Sequence, residues 1–351
     1  MPRKEHPITE ALHGDSFSAL VEKLGFHLIA ERGLSFNYLA LTERTLLKFS
    51  AWRAQNGLSD SPLAATTQEI AAFLAFEKSR GLGAGSLKIT VYALKAFFGF
   101  LKRRHFSDHD PALILHAPKV PLLLPHILNE PETSQLMAVD FMKRPAKSRA
   151  RVLPLRDRAI LEMLYATGLR NSELITANLQ HLDLAARTLR VLGKGQKERI
   201  VCFGRPAAMA LAEYLEDERK RRVARARHMT NRDRESIFLS WNAQSLTYQR
   251  TWQLLQEARL LSGLDKPVYP HLLRHTFATH LYRHGADLLV IKELLGHSDI
   301  NTTMLYTHVE LSGLMAVYKK CHPRALLPSS STTILEQYRD APRLARSVAR
   351  E

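Results

Sequence analysis

The chain has 351 residues, enough for two domains with separate cores, and its 45% apolar content excludes a largely disordered protein. Fifty Lys and Arg against 34 Asp and Glu leave a net charge of +16, which favours a polyanionic partner. Only two cysteines occur, Cys202 and Cys321, in no ligand-like spacing, so neither a disulfide framework nor a zinc site is expected, and a reducing cytosol is.

The segment before Phe17, MPRKEHPITEALHGDS, has no apolar core of signal-peptide length and is read as an N-terminal extension, residues 1–16. No stretch approaches the roughly 18 consecutive apolar residues of a spanning helix, so no membrane partner is expected. From Phe17 to Arg104 apolar residues return every three or four positions, which predicts helices over 17–31, 35–55, 66–79 and 84–104. Thr66 and Glu69 form a capping-box pattern ahead of the third helix, and Gly33, Gly57 and the GLGAG run at 81–85 punctuate the ends. A four-helix bundle domain over 17–115 follows. The sequence HAPKVPLLLPHILNEP then carries four prolines in sixteen residues, which reads as an extended linker over 116–128.

The second domain, 129–325, restarts with Asn129 as a helix cap and Glu132 three residues on. Helices are predicted near 132–142 and 154–167. TLRVL at 188–192 and ERIVCF at 198–203 are β-rich runs flanking the turn GKGQ, a hairpin signature with Lys194 at its tip. Helices fit 207–227, 245–261, 272–284, 287–295 and 301–306, with an amphipathic stretch near 310–320 that carries Leu311, Leu314, Met315 and Tyr318 at helical spacing. The tail, 326–351, is Ser-, Thr- and Arg-rich and is expected to be partly disordered. The fold class is therefore mainly α with a small β-sheet: a helical bundle followed by an α+β domain.

The second domain carries, in order, Arg170 in ATGLRNSEL, Lys194 in GKGQKER, His271 and Arg274 in PHLLRHTFATHL, His297 in LLGHSD and Tyr306 in TTMLYTH. That set suits metal-free cleavage of a phosphodiester. Attack by a side-chain oxygen places extra negative charge on the non-bridging phosphate oxygens, which needs fixed cations. Two guanidiniums serve best, because they stay charged and offer a planar fork that a lysine lacks. Tyr306 is then the nucleophile, Lys194 the proton donor to the leaving sugar oxygen, and His271 and His297 imidazoles that accept or share protons.

Each residue has a plainer alternative. Arg170 can simply pair with Glu173, three residues on. Lys194 can be a solubilising tip residue, His297 a satisfied imidazole at a helix end, and Tyr306 a packed aromatic. His271 and Arg274 lie one turn apart at a helix start, where backbone N–H groups also favour an anion. The pairs His271/His275 and His280/His284, spaced i, i+4, raise a metal reading. No carboxylate lies between either pair as in HExxH, and one helix cannot aim all four at one ion, so no metal or other cofactor is expected.

In order and context these segments resemble the tyrosine recombinase (phage integrase) family, most of all its bacterial Xer branch. The resemblance runs from ERGLS at 31–35 to CHPRA at 321–325 and is dense in LRDRAILEMLYATGLRNSEL, VLGKGQKERIV, PHLLRHTFATHLYRHGADLLVIKELLGHSDINTTMLYTHV and HPRA. It maps the family's catalytic set onto Arg170, Lys194, His271, Arg274, His297 and Tyr306, with Glu173 as a supporting acid. Two departures are Tyr269, where a capping Ser or Thr often precedes the Pro-His, and Cys202-Phe203 in place of a Pro-hydrophobic pair. The resemblance implies a C-shaped clamp of a core-binding and a catalytic domain on double-stranded DNA with inverted-repeat half-sites. It also implies a 3′-phosphotyrosyl intermediate, strand exchange through a Holliday junction, and no need for ATP or metal. The implied assembly is a homotetramer on two duplexes, or a heterotetramer with a related recombinase, with a protein activator as a further candidate partner and the 310–320 helix docking on a neighbour. Chromosome or plasmid dimer resolution in the cytoplasm, at the nucleoid, is the expected role. The alternatives are a mobile-element integrase, a type IB topoisomerase and a non-catalytic DNA-binding protein. Expected groove-facing residues are Arg44, Lys88 and Lys95 on the first domain, and Lys197 and Arg199 near the hairpin, with solvated surface charge as the alternative.

Overall fold

A computed structural model describes residues 17–144 apart from 33, 35, 60 and 121–125, then 153–193, 198–296 and 308–325, with side chains in the last segment described from residue 313. The chain divides into two compact units, Met1–Leu123 and Leu124–Glu351.

The first unit is helical. α1 (Phe17–Phe26) runs on through a π-helical turn (His27–Glu31), followed by α2 (Phe36–Gln55), α3 (Thr67–Ser79) and α4 (Ala84–Arg103). Their apolar stripes converge on Leu24, Leu46, Phe49, Ile70, Leu94, Phe97 and Leu101, all fully buried. Thr66 caps α3 by accepting the Glu69 backbone N–H at 3.2 Å. Glu69 does not complete the expected box. Its carboxylate turns to the buried Arg53, 2.9 Å away, because a guanidinium removed from water needs an anionic partner more than a helix end needs a second cap. α4 is long and apolar enough by length and composition to cross a membrane, yet Leu87, Val91, Leu94, Phe97, Phe98 and Leu101 are buried within its unit, as in a core helix.

The second unit begins with α5 (Glu130–Met137), where Asn129 and Glu132 exchange both capping bonds at 2.8 Å. α6 (Pro154–Thr167) is buried on nearly all sides and packs on α8 (Arg205–Tyr214) and α12 (Pro270–Arg283). α7 (Asn171–Ile175) leads to a three-stranded antiparallel sheet of β1 (Leu182–Asp183), β2 (Thr188–Leu192) and β3 (Glu198–Cys202). The predicted hairpin strands are β2 and β3; β1, two residues long, is too short for periodicity to register. The helix expected over 207–227 is α8, a π-helical turn (Leu215–Arg219) and α9 (Lys220–Arg225), with α10 (Asn231–Glu235) beyond. α11 (Tyr248–Ser262), α12, α13 (Leu288–Leu295) and α14 (His308–Cys321) complete the unit. The predicted helix at 301–306 lies outside the described residues.

The 310–320 stretch was expected on a neighbour. Of that stripe, Leu314 and Tyr318, with Cys321, are buried against Phe277, Leu281, Ile291, Leu294 and Leu295 of the same domain, Met315 is partly buried, and the Leu311 side chain lies outside the described residues. The Tyr318 hydroxyl accepts the Gly204 backbone N–H at 3.0 Å, and His322 stacks on the Tyr318 ring with centroids 4.8 Å apart. The hydrogen bond satisfies the buried Tyr318 hydroxyl within the domain.

Candidate active site

Arg170 is placed by the way α6 ends. Gly168 adopts φ +60° as the C-cap, and a Cβ there would lie 2.5 Å from Phe277 Cδ1, so the chain can turn sharply here only with glycine. Two residues later Arg170 caps α7. Its backbone N–H donates to Glu173 Oε2 and its Nη1 to Glu173 Oε1, both at 2.8 Å, so the plain Arg–Glu pairing read from the sequence does exist. It is one part of a larger cluster.

Glu173 also receives Arg199 from β3, bidentately, at 2.5 Å (Nη1 to Oε1) and 2.7 Å (Nη2 to Oε2). Arg274 Nη1, from the fifth residue of α12, lies 4.0 Å from Glu173 Oε2. Three guanidiniums thus surround one carboxylate. Burial alone would push the Glu173 carboxyl up, but the hydrogen bonds and charge of Arg199, with the bonds from Arg170, hold it below its ordinary value. Burial, then repulsion from Arg170 and Arg199, pulls Arg274 down to about 10, still charged near neutrality.

The arginines share a second anchor. Arg199 Nε donates to the Leu294 carbonyl at 3.2 Å, Arg274 Nη2 to the Leu295 carbonyl at 2.6 Å, and Arg170 Nη2 to the Gly296 carbonyl at 3.2 Å. These are three successive carbonyls at the C-terminal end of α13, unsatisfied within the helix and carrying the negative end of its dipole. Arg274 Nη1 also donates to the Gly168 carbonyl at 2.7 Å. His297, the next residue after the anchor, lies with Lys194, Lys197 and Tyr306 outside the described residues.

His271 sits at the second position of α12, exposed, with its imidazole pKa lowered by partial burial and then by the Arg274 charge, His275 and Arg170. The ring is neutral at pH 7 and able to accept a proton. Tyr269, the N-cap of α12, makes no side-chain cap bond. Of the i, i+4 histidines, His280 is fully buried with Nδ1 2.9 Å from the Tyr165 hydroxyl and Nε2 3.0 Å from the Leu128 carbonyl, so neither nitrogen is open to an ion.

Among the expected groove residues, Arg44 is exposed on α2, Lys88 lies 5.9 Å from the Tyr92 ring centroid, and Lys95 Nζ donates to the Leu113 carbonyl at 3.1 Å. Arg199 is not a surface residue. At 4% exposure it is committed to Glu173 and Leu294, which corrects its reading as a groove-facing cation. The signal was available in the sequence, since Arg199 alternates with Val201 on β3 and pairs with Val191, placing it on the strand's buried face. What the sequence could not supply was its partner.

Arginines gathered at a helix end beside the Pro-His-x-x-Arg start of α12 form a cluster suited to holding a phosphate. The Phage integrase family matches residues 128–312, and the chain belongs to that family, the tyrosine recombinases, which cleave and rejoin DNA. The tyrosine recombinase XerD of Listeria innocua serovar 6a is 42% identical over 217 residues, covering 62% of this chain and 69% of that protein. The XerD of Proteus mirabilis is 39% identical over 223 residues, 63% of this chain and 67% of that protein. The fold is shared with a lambda integrase(75-356) dimer bound to a COC′ core site (19% identity, TM-score 0.59, covering 84% of this chain and all of that one). It is also shared with the XerH site-specific recombinase bound to difH (21% identity, TM-score 0.58, 86% and 82% covered).

Proposed function

We propose that this protein is a Xer-type site-specific recombinase whose catalytic set is Arg170, Lys194, His271, Arg274, His297 and Tyr306. The observation that carries the reading is the gathering of Arg170 and Arg274 around one carboxylate, beside His271 and on the helix end that leads to His297. Three cations against one anion leave the cluster net positive, suited to a phosphate whose charge grows as a nucleophile attacks. In the reaction Tyr306 Oη attacks the scissile phosphorus, with neutral His271 able to take its proton. Lys194 gives a proton to the departing 5′-oxygen, leaving a 3′-phosphotyrosyl bond and a 5′-hydroxyl. That hydroxyl, from one duplex, then attacks the phosphotyrosine of another. The enzyme link conserves the phosphodiester energy, so ATP has no role.

The partner is double-stranded DNA with inverted half-sites, bound by a tetramer across two duplexes, with 17–115 as the core-binding domain and 129–325 as the catalytic one. Arg44, Lys88 and Lys95 supply backbone contacts from the first unit, and Lys197 from the hairpin. Similarity to XerD proteins favours dimer resolution in the cytoplasm. A mobile-element role is distinguished by the locus that the protein occupies in chromatin immunoprecipitation.

The test is Tyr306→Phe on a nicked suicide substrate. The parent should yield a covalent protein–DNA band on a denaturing gel, and the variant should bind the site yet yield none. A covalent band from the variant would show that another residue is the nucleophile, with the exposed Tyr282 as the alternative to test.

A further inference from the structure

We propose that Arg199 is a positioning residue for DNA cleavage: it holds Glu173 and the end of α13 so that Arg170 keeps one guanidinium face available to the scissile phosphate. This rests on the recombinase reading above.

A strand position between Val191 and Val201 would ordinarily carry an apolar side chain, and an arginine there must be paired to be tolerated. Arg199 meets that requirement entirely within the cluster. Its fork covers both Glu173 oxygens and its Nε takes the Leu294 carbonyl. A Cβ on Gly296 would lie 2.8 Å from Arg199 Cδ, so this side chain is packed directly against the residue that precedes His297.

The stoichiometry shows what Arg199 does. Each Glu173 oxygen is shared: Oε1 accepts Arg199 Nη1 and Arg170 Nη1, and Oε2 accepts Arg199 Nη2 and the Arg170 backbone N–H. With Arg199 present, Glu173 orients Arg170 without fully neutralising it. Without Arg199 the same carboxylate has only Arg170 and the more distant Arg274 to compensate it, so it draws onto the guanidiniums that the phosphate needs. The Leu294 carbonyl also loses its donor, which loosens the C-terminal end of α13 at Gly296. A lysine cannot substitute, because a single ammonium cannot span two carboxylate oxygens and a carbonyl in one plane.

The experiment uses full-length Arg199→Lys and Arg199→Gln, checked by circular dichroism, on two suicide substrates. One carries the natural phosphodiester and the other a methylphosphonate at the scissile position. The methylphosphonate replaces one charged oxygen with a neutral methyl and so asks for one cation fewer. We expect both variants to cleave the phosphodiester about 100-fold more slowly, the scale of a displaced catalytic group, with DNA affinity changed less than about threefold. The defect should shrink at least tenfold on the methylphosphonate, as it should for Arg170→Ala. If Arg199→Gln fails to fold, the same comparison is made on Arg199→Lys, which keeps a positive charge beside the buried Glu173. Equal defects on the two linkages, or an Arg199→Lys variant as active as the parent, overturn the proposal. Absence of a covalent adduct from the parent protein would instead overturn the recombinase reading, so the two failures are distinguishable.

Discussion

Arg324 Nη2 lies 2.6 Å from Glu162 Oε1, joining the HPRA segment to the middle of α6 across 162 positions of sequence. Glu162 is 3% exposed, and burial, offset only partly by Arg324 and Arg158, raises its pKa. The pair therefore fastens the end of the α14 segment to α6, the central helix of the second unit.

Arg324→Met should destabilise the fold by roughly 3–5 kcal/mol, because it strands a buried carboxylate. The sign of its pH dependence follows from the raised pKa. The folded state holds the proton more tightly than the unfolded chain, so the variant should regain stability as pH falls and lose it as pH rises through the folded value. Adding Glu162→Gln should restore much of the loss. Denaturant midpoints from pH 5 to 8 read all three quantities, and a pH-independent loss with no rescue would contradict the pairing.

Gly168→Ala places a methyl 2.5 Å from Phe277 Cδ1 at φ +60°. The expected cost is roughly 1–3 kcal/mol of stability. Cleavage should fall by more than the loss of folded protein accounts for, since the Gly168 carbonyl that would be displaced is held by Arg274. Thermal denaturation alongside single-turnover cleavage separates the two effects.

His322 is buried among Tyr165, Phe277 and Tyr318, and burial pulls its pKa down to about 3. The unfolded chain binds a proton that the folded state refuses, so stability falls as pH drops from about 6.5 toward 3, by about 1.4 kcal/mol per pH unit at the steepest. His322→Phe removes this contribution. The stability advantage of the parent over the variant should shrink across that window, as measured by urea unfolding at each pH.

Lys194→Ala should cut a normal phosphodiester poorly and recover on a 5′-bridging phosphorothiolate, whose thiolate leaves without a proton. Equal defects on both substrates would leave Lys194 as a DNA contact rather than an acid.

The helical periods of α1 to α4, the β2–β3 hairpin and the Asn129–Glu132 cap are local patterns, carried by residues a few positions apart, and could be read directly from the chain. β1 and α7 could not, because two or five residues hold too little periodicity and owe their form to what they pack against. Residue identities also marked Arg170, Glu173, His271 and Arg274 as a set, since phosphate chemistry constrains which side chains are useful.

Pattern alone determined the family and those residue types. Tertiary structure decided where the charges go: Arg199 turned inward, Glu173 was divided among three guanidiniums, and successive carbonyls of α13 each received one arginine. It decided as well that Leu314 and Tyr318 of α14 pack within their own domain. The physical reason is that a buried charge or an apolar face must find a partner, and sequence states the need while only the folded chain shows which of many distant groups meets it.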